Sequence, residues 1–206
     1  MEPRAEFRRR TRLAPEARRK QLMECALEVF SKRGIGRAGH AEIAELAQVS
    51  VATVFNYFNT REDLVNAVLT EVELYFRGIA SAAFGQSKDP LEAIHDYIAL
   101  VVEAAYVKPD YTHIWLEWSS SVREEIWPRY LKLLSHNTDL MKKVITPGFD
   151  NHDFDCRLSV DEFCRALSGC GYMIIQMINQ PGHASKEKVV EFVYSYITAI
   201  LHPKDQ

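Results

Sequence analysis

Ala52, Thr53 and Asn56 stand together between Ser50 and Tyr57, in a stretch with the pattern of a short helix. These side chains suit the reading of base edges. An Asn amide can bond adenine twice, and Thr and Ala methyls can touch the methyl group of thymine. Ser50, Tyr57 and Arg61 flank them with two hydroxyls and a guanidinium, groups that hold phosphates and set register without reading sequence. Upstream, residues 1–13 form a polar arm carrying Arg4, Arg8, Arg9, Arg10 and Arg12. Clustered arginines fit narrow minor grooves, while an unstructured solubilising tail would have the same composition. A solvated polar face is the plainer reading of Thr53 and Asn56 as well.

What decides between these readings is the set of elements around them. Pro15 suits a first helical position, and Leu22, Ala26, Val29 and Phe30 recur at helical spacing until Lys32, Arg33 and Gly34 stop the helix. A second helix is predicted from Ala41 to Ala47, with Ile43, Leu46 and Ala47 inward. Ser50 caps a third, Val51 to Phe58, whose Val51, Val54 and Phe58 would pack on Ile43 and Leu46. Two short helices joined by a turn make a helix-turn-helix, whose second helix can lie in a major groove. Thr60 caps the next helix, with Asp63 placed to close a capping box.

The remainder also reads as helices. Leu64, Val68, Val72 and Phe76 form one stripe ending near Gly85, and Pro90 opens another helix through Ile94, Ile98, Val101 and Val102. Further helices are predicted over Tyr111 to Val122, Glu124 to about Ile145, Val160 to Asn179 and Lys186 to Leu201. Breaks fall at Lys108-Pro109, Pro147-Gly148 and Pro181-Gly182. No stretch has a useful β period. The fold class is all-α: a helix-turn-helix head on a larger helical bundle. The domains are an arm (1–13), a helix-turn-helix DNA-binding head (14–60) and a larger helical body (61–206).

Charge divides along the same line. Residues 1–61 hold 12 Lys/Arg against 7 Asp/Glu, whereas the rest hold 13 against 21, although the whole chain is at net −3. Only the first part is suited to a polyanion. Apolar residues make up 47%, enough for a sizeable core. The Arg-rich start is unlike a signal peptide, and the most apolar run, Ile98 to Val107, is interrupted by Glu103 and too short to span a bilayer. A cytoplasmic, nucleoid-associated protein is expected.

Enzyme readings find little support. Walker loop, dinucleotide turn and nucleophile elbow are missing. His113 and Glu117 stand four apart, but two groups do not make a metal site. Asp150, Asp153 and Asp155 lack the spacing of a calcium loop. The four cysteines, Cys25, Cys156, Cys164 and Cys170, show no CxxC spacing. No cofactor or metal is expected.

The stretch Ile43-Ala44-Glu45-Leu46-Ala47, then Val49 to Phe58, then Thr60-Arg61-Glu62-Asp63-Leu64 resembles the head of the TetR family over about residues 14–66. Arg33-Gly34-Ile35-Gly36-Arg37, His40-Ala41, Ala47 to Phe58, and Trp115, Glu117-Trp118-Ser119, Arg123, Glu125 and Trp127-Pro128 are similar to the LuxR/HapR/SmcR-type quorum-sensing regulators of vibrios. The chain departs from that subgroup at Ala38 and Asn59 and diverges after about Leu131. The resemblance implies a homodimer on a roughly palindromic operator in double-stranded DNA. Thr53 and Asn56 would read bases, Ser50, Tyr57 and Arg61 would hold phosphates, and Arg9 and Arg10 would enter the minor groove. Regulators of this type repress some promoters and activate others.

In TetR-like proteins the last two helices pair with their symmetry mates. Phe163, Leu167, Ile174, Val193, Ile197 and Ile200 are therefore expected at the dimer interface, with Gly169 and Gly171 permitting close approach. Trp115, Trp118 and Trp127, with Phe76, Tyr130, Leu133, Asn137, Cys170 and Met173, could equally fill a core or line a cavity for a small apolar ligand; the resemblance favours the cavity. A repressor released by a metabolite or drug shares every head motif. An architectural DNA binder and a helical enzyme with an incidental helix-turn-helix are the other classes.

Overall fold

The computed structural model describes residues 13–85, 89–182 and 184–203. Arg9 and Arg10 lie outside the described residues. Among the described residues nine α-helices follow in order: α1 Pro15–Arg33, α2 His40–Leu46, α3 Val51–Phe55, α4 Arg61–Phe84, α5 Pro90–Val107, α6 Pro109–Ser120, α7 Trp127–Asp150, α8 Val160–Ile178 and α9 Lys186–Leu201. Among the described residues there is no strand beyond an isolated bridge between Phe154 and Pro203. Helices α1–α3 form the head. The long α4 leaves it to pack on α5 and α7, and α5 is central, touching α4, α6, α7, α8 and α9.

Local chemistry places the head helices. Pro15 opens α1, where its missing N–H costs nothing, and Gly34 closes it at φ 87°, a conformation costly for residues with a Cβ. The Ser50 hydroxyl caps α3 by accepting from the Thr53 N–H at 3.2 Å. At α4 the box is reciprocal: Asp63 N–H donates to Thr60 Oγ1 at 3.0 Å, and Thr60 N–H to Asp63 Oδ2 at 3.1 Å. Ser159 and Glu162 build a second such box at α8.

One apolar cluster runs from head to body. Leu22, Phe30, Ile43, Val54, Phe58 and Leu64 are buried in the head, and Ile94, Ile98, Ile114, Trp118, Leu133 and Phe163 in the body. Two expected inward residues are outside it: Leu46 is 43% and Val51 41% exposed. Seven-residue α2 offers a single inward strip, and Ile43, Ala44 and Ala47 fill it.

Other boundaries differ from the sequence reading. The third helix ends at Phe55 and continues as turns, Tyr57 N–H and Phe58 N–H both donating to Val54 O. Helix α7 does not break at Pro147-Gly148 but runs to Asp150. Proline there removes only one hydrogen bond of the last turn. That turn is held by Asn151 N–H to Pro147 O and Asp153 N–H to Gly148 O, both 2.9 Å, and by the Phe149 ring against Phe154.

Candidate nucleic-acid interface

Helix α3 is anchored by Val54 and, beyond its last turn, Phe58, both buried. Ala52, Phe55 and Asn56 are exposed, and Thr53 is half-buried. The Ser50 and Thr53 hydroxyls lie 2.8 Å apart, so the cap also holds the Thr53 rotamer. Tyr57 is half-buried against the core, and its C=O accepts from Arg19 Nη1 at 3.5 Å. Arg19 also lies over the Phe58 ring at 5.3 Å. Arg61 is exposed but tethered, donating from Nη2 to Ile35 O at 2.7 Å. Ser50, Ala52, Thr53 and Asn56 thus share one short helix and its cap, with Tyr57 and Arg61 following at the base of the head.

His40 belongs to this arrangement and was missed from sequence. It is buried, its Nε2 donates to Phe58 O at 2.8 Å, and its ring stacks on Phe55 at 4.0 Å with the planes 6° apart. Because a carbonyl only accepts, Nε2 carries a proton. The ring therefore ties the start of α2 to the last residue of α3 and to the turn beyond it.

The body holds an aromatic cluster. Trp115 lies 5.5 Å from Phe76, 6.2 Å from Tyr130 and 5.1 Å from Tyr172, centroid to centroid. Phe76, Trp115, Tyr130, Leu133 and Asn137 border a cavity of about 30 Å³ together with Tyr97 and Gly171. A Cβ on Gly171 would come within 3.1 Å of the Trp115 ring, so a larger residue there would require the indole to shift by a few tenths of an ångström. The volume corrects the expectation of a large apolar cavity: about one water fits, whereas ligand sites run to ~300 Å³ or more. Trp118, Cys170 and Met173 do not border it. Trp118 is fully buried, its indole N–H donating to Ile126 O at 2.9 Å. Asn137 Oδ1 is buried without a hydrogen-bond partner among the described residues. Burial, with Tyr172 next in effect, raises the Tyr130 phenol above its ordinary range. Burial pushes the Cys170 thiol up to about 11 and the Cys164 thiol to about 12.

The expected dimer residues need correction. Phe163, Leu167, Ile174, Val193 and Ile197 are buried inside the protomer, and Ile200 is half-buried. They pack α8 and α9 onto α5 and α7, so five of the six have no surface to offer a partner. The outer face of α9 instead carries Phe192, 52% exposed, and Tyr196, 48% exposed, four residues apart. On α8 the outer residues include Arg165, Gly169 and Gln176, with Met173 half-buried beside them.

Comparison with known proteins accords with this architecture. Residues 22–68 match the family model described as bacterial regulatory proteins, tetR family. The chain is 37% identical over 190 residues to the HTH-type transcriptional regulator LuxR of Vibrio harveyi, covering 92% of each protein. The HTH-type regulator TtgR of Pseudomonas putida is 36% identical over 84 residues, 40% of each chain. Among solved structures, the ketosteroid regulator KstR2 of Mycobacterium tuberculosis superposes with a TM-score of 0.76 at 17% identity, covering 95% of this chain and all of that one. FadR of Bacillus subtilis, solved with stearoyl-CoA, gives 0.73 at 16% identity, covering 89% and 99%. Similarity that low shows the fold alone. The LuxR match spans head and body alike, and this chain belongs to the TetR family of DNA-binding transcriptional regulators.

Proposed function

We propose that this regulator acts as a homodimer on a roughly palindromic operator and controls quorum-sensing genes, repressing some promoters and activating others. The observation that carries the reading is the exposed Ala52/Asn56 face of a capped α3, in a chain aligned over 92% of its length with LuxR of Vibrio harveyi. Thr53 and Asn56 read base edges, Ser50, Tyr57 and Arg61 hold phosphates, and Arg9 and Arg10 reach the minor groove. Two copies meet through the outer faces of α8 and α9, centred on Phe192 and Tyr196. Their recognition helices enter successive major grooves about 34–36 Å apart. The protein works in the cytoplasm at the nucleoid; no described helix is long and apolar enough to cross a membrane.

A second reading, release from DNA by a small apolar molecule, is favoured by one observation. Asn137, whose buried Oδ1 has no hydrogen-bond partner among the described residues, lines an aromatic cavity, the pairing of apolar walls and one polar group that small ligands use. An occupant would have to open the cavity well beyond 30 Å³.

Selection of binding sites from a random duplex pool tests the main reading. Recovery of a palindrome bound far above random DNA, and unaffected by apolar small molecules, supports it. A site released by such a molecule at modest concentration supports the second. Enrichment of no sequence, with steep salt dependence alone, leaves an architectural binder instead.

A further inference from the structure

Ile35 sits just beyond α1, where its N–H has no helical partner. Both its polar groups are taken by the body side of the molecule. Its N–H donates to the Glu117 carboxylate on α6, at 2.9 Å from Oε1 and 3.0 Å from Oε2. Its C=O accepts from Arg61 at the start of α4, at 2.7 Å. Gly34 lies against the same carboxylate: a Cβ there would come within 3.1 Å of Glu117 Oε1, and its φ of +87° is one that L side chains rarely adopt.

One turn back on both helices lies a second tie. Ser31 Oγ on α1 is 3.2 Å from His113 Nδ1 on α6. The other ring nitrogen, Nε2, is 3.2 Å from Oδ1 of Asn179, the residue that ends α8. Asn179 uses its Nδ2 to donate to Ile175 O at 2.8 Å, which leaves Oδ1 as acceptor. His113 Nε2 therefore donates to Asn179, and Nδ1 shares a hydrogen bond with the Ser31 hydroxyl. His113 and Glu117, a spacing too sparse for a metal site, thus join the head to α6 and, through Asn179, to α8.

We propose that Glu117 and His113 are positioning residues that fix the angle of the head on the body and so set the half-site spacing the dimer accepts. The proposal rests on the dimeric DNA-binding reading above. In a two-fold dimer held through α8 and α9, the separation of the recognition helices follows from the angle of each head relative to α8. The ties from the end of α1 to α6, and from α6 to the end of α8, lie along that path, beside the Tyr172 hydroxyl on α8, which donates to Ser119 O on α6 at 3.1 Å. Neither residue lies on α3, so neither should affect how one head reads one half-site.

The test compares the wild type with Glu117→Ala, Glu117→Gln and His113→Ala. Affinity is measured for a duplex with one half-site, for the selected operator, and for operators with the spacing changed by one or two base pairs. For Glu117→Ala and His113→Ala we expect wild-type affinity for the single half-site and a spacing penalty reduced about tenfold, the scale of one lost charge-assisted hydrogen bond. Glu117→Gln, which keeps an acceptor for Ile35 N–H, should retain most of the penalty. An unchanged penalty in both truncations, or a wild type indifferent to spacing, overturns the proposal. Equal loss on every duplex, single half-site included, also overturns it and leaves only a folding role. A wild type that prefers no sequence at all refutes instead the function on which the proposal stands. A readout without DNA is the head-to-head distance from spin labels at Ala41→Cys, with Cys25 and Cys156 replaced by Ser. Broadening in Glu117→Ala supports the proposal, and an unchanged distribution refutes it.

Discussion

Phe192→Ala should dissociate the dimer while leaving each protomer folded. The ring is 52% exposed in the protomer. An aromatic side chain buries ~200 Å² when fully covered, so roughly 100 Å² remains for a partner to bury. At ~25 cal/mol per Å² this is about 2 kcal/mol once the retained Cβ is discounted. Two-fold symmetry counts the substitution twice, for about 4 kcal/mol, or a roughly thousandfold weaker dimer. Sedimentation or fluorescence-detected dilution across nanomolar to micromolar protein reads the dissociation constant, and far-UV circular dichroism checks the fold. Ile197→Asp, five residues on, is the control. That side chain is fully buried, and an unpaired carboxylate there costs several kcal/mol of a total stability of about 5–15. It should yield unfolded or aggregated chain rather than clean monomer. An unchanged dissociation constant for Phe192→Ala, or a well-folded monomer from Ile197→Asp, would refute the assignment of inner and outer faces.

Two further outcomes concern the body. Asn137→Leu removes a buried acceptor without a partner among the described residues. It should leave the melting temperature unchanged or raise it by a few degrees, because an unsatisfied group costs ~1–3 kcal/mol; a fall of several degrees would mean the amide is satisfied after all. Cys170, with its thiol pushed up to about 11 by burial, should react with iodoacetamide at pH 8 on the order of a hundredfold more slowly than an exposed thiol. Its rate should rise with pH until about 11, where the thiolate becomes the main form. Rapid labelling of Cys170 at pH 8 in the folded protein would contradict the burial argument.

The head was legible in the sequence because its punctuation is local. Pro15, Gly34, Ser50 and the Thr60–Asp63 box act within three or four residues of themselves, and each helix start or stop they imply is present. What failed was the assignment of apolar residues to faces. Leu46 and Val51 are apolar yet exposed, because which side of a seven- or five-residue helix faces inward depends on its neighbours. For the same reason the most apolar stripe of α8 and α9 was taken as the dimer surface. The protomer core needs that stripe, and the outer face has the mixed remainder of Gly169, Gln176, Phe192 and Tyr196. His40 stands within the subgroup resemblance, but its role was not legible, since its partner Phe58 O lies 18 residues on. Glu117 and His113 were visible as a pair one turn apart, but their partners, Ile35 just beyond α1 and Ser31 on it, are each 82 residues away.

The central claim is that α3 reads bases, and Asn56→Ala tests it most directly. Fluorescence anisotropy would compare wild type and variant on the selected operator and on a random duplex, at two salt concentrations. The account predicts a loss of ~1–3 kcal/mol on the operator, little change on random DNA and an unaltered salt slope. Equal loss on both duplexes, or none on the operator, would contradict it.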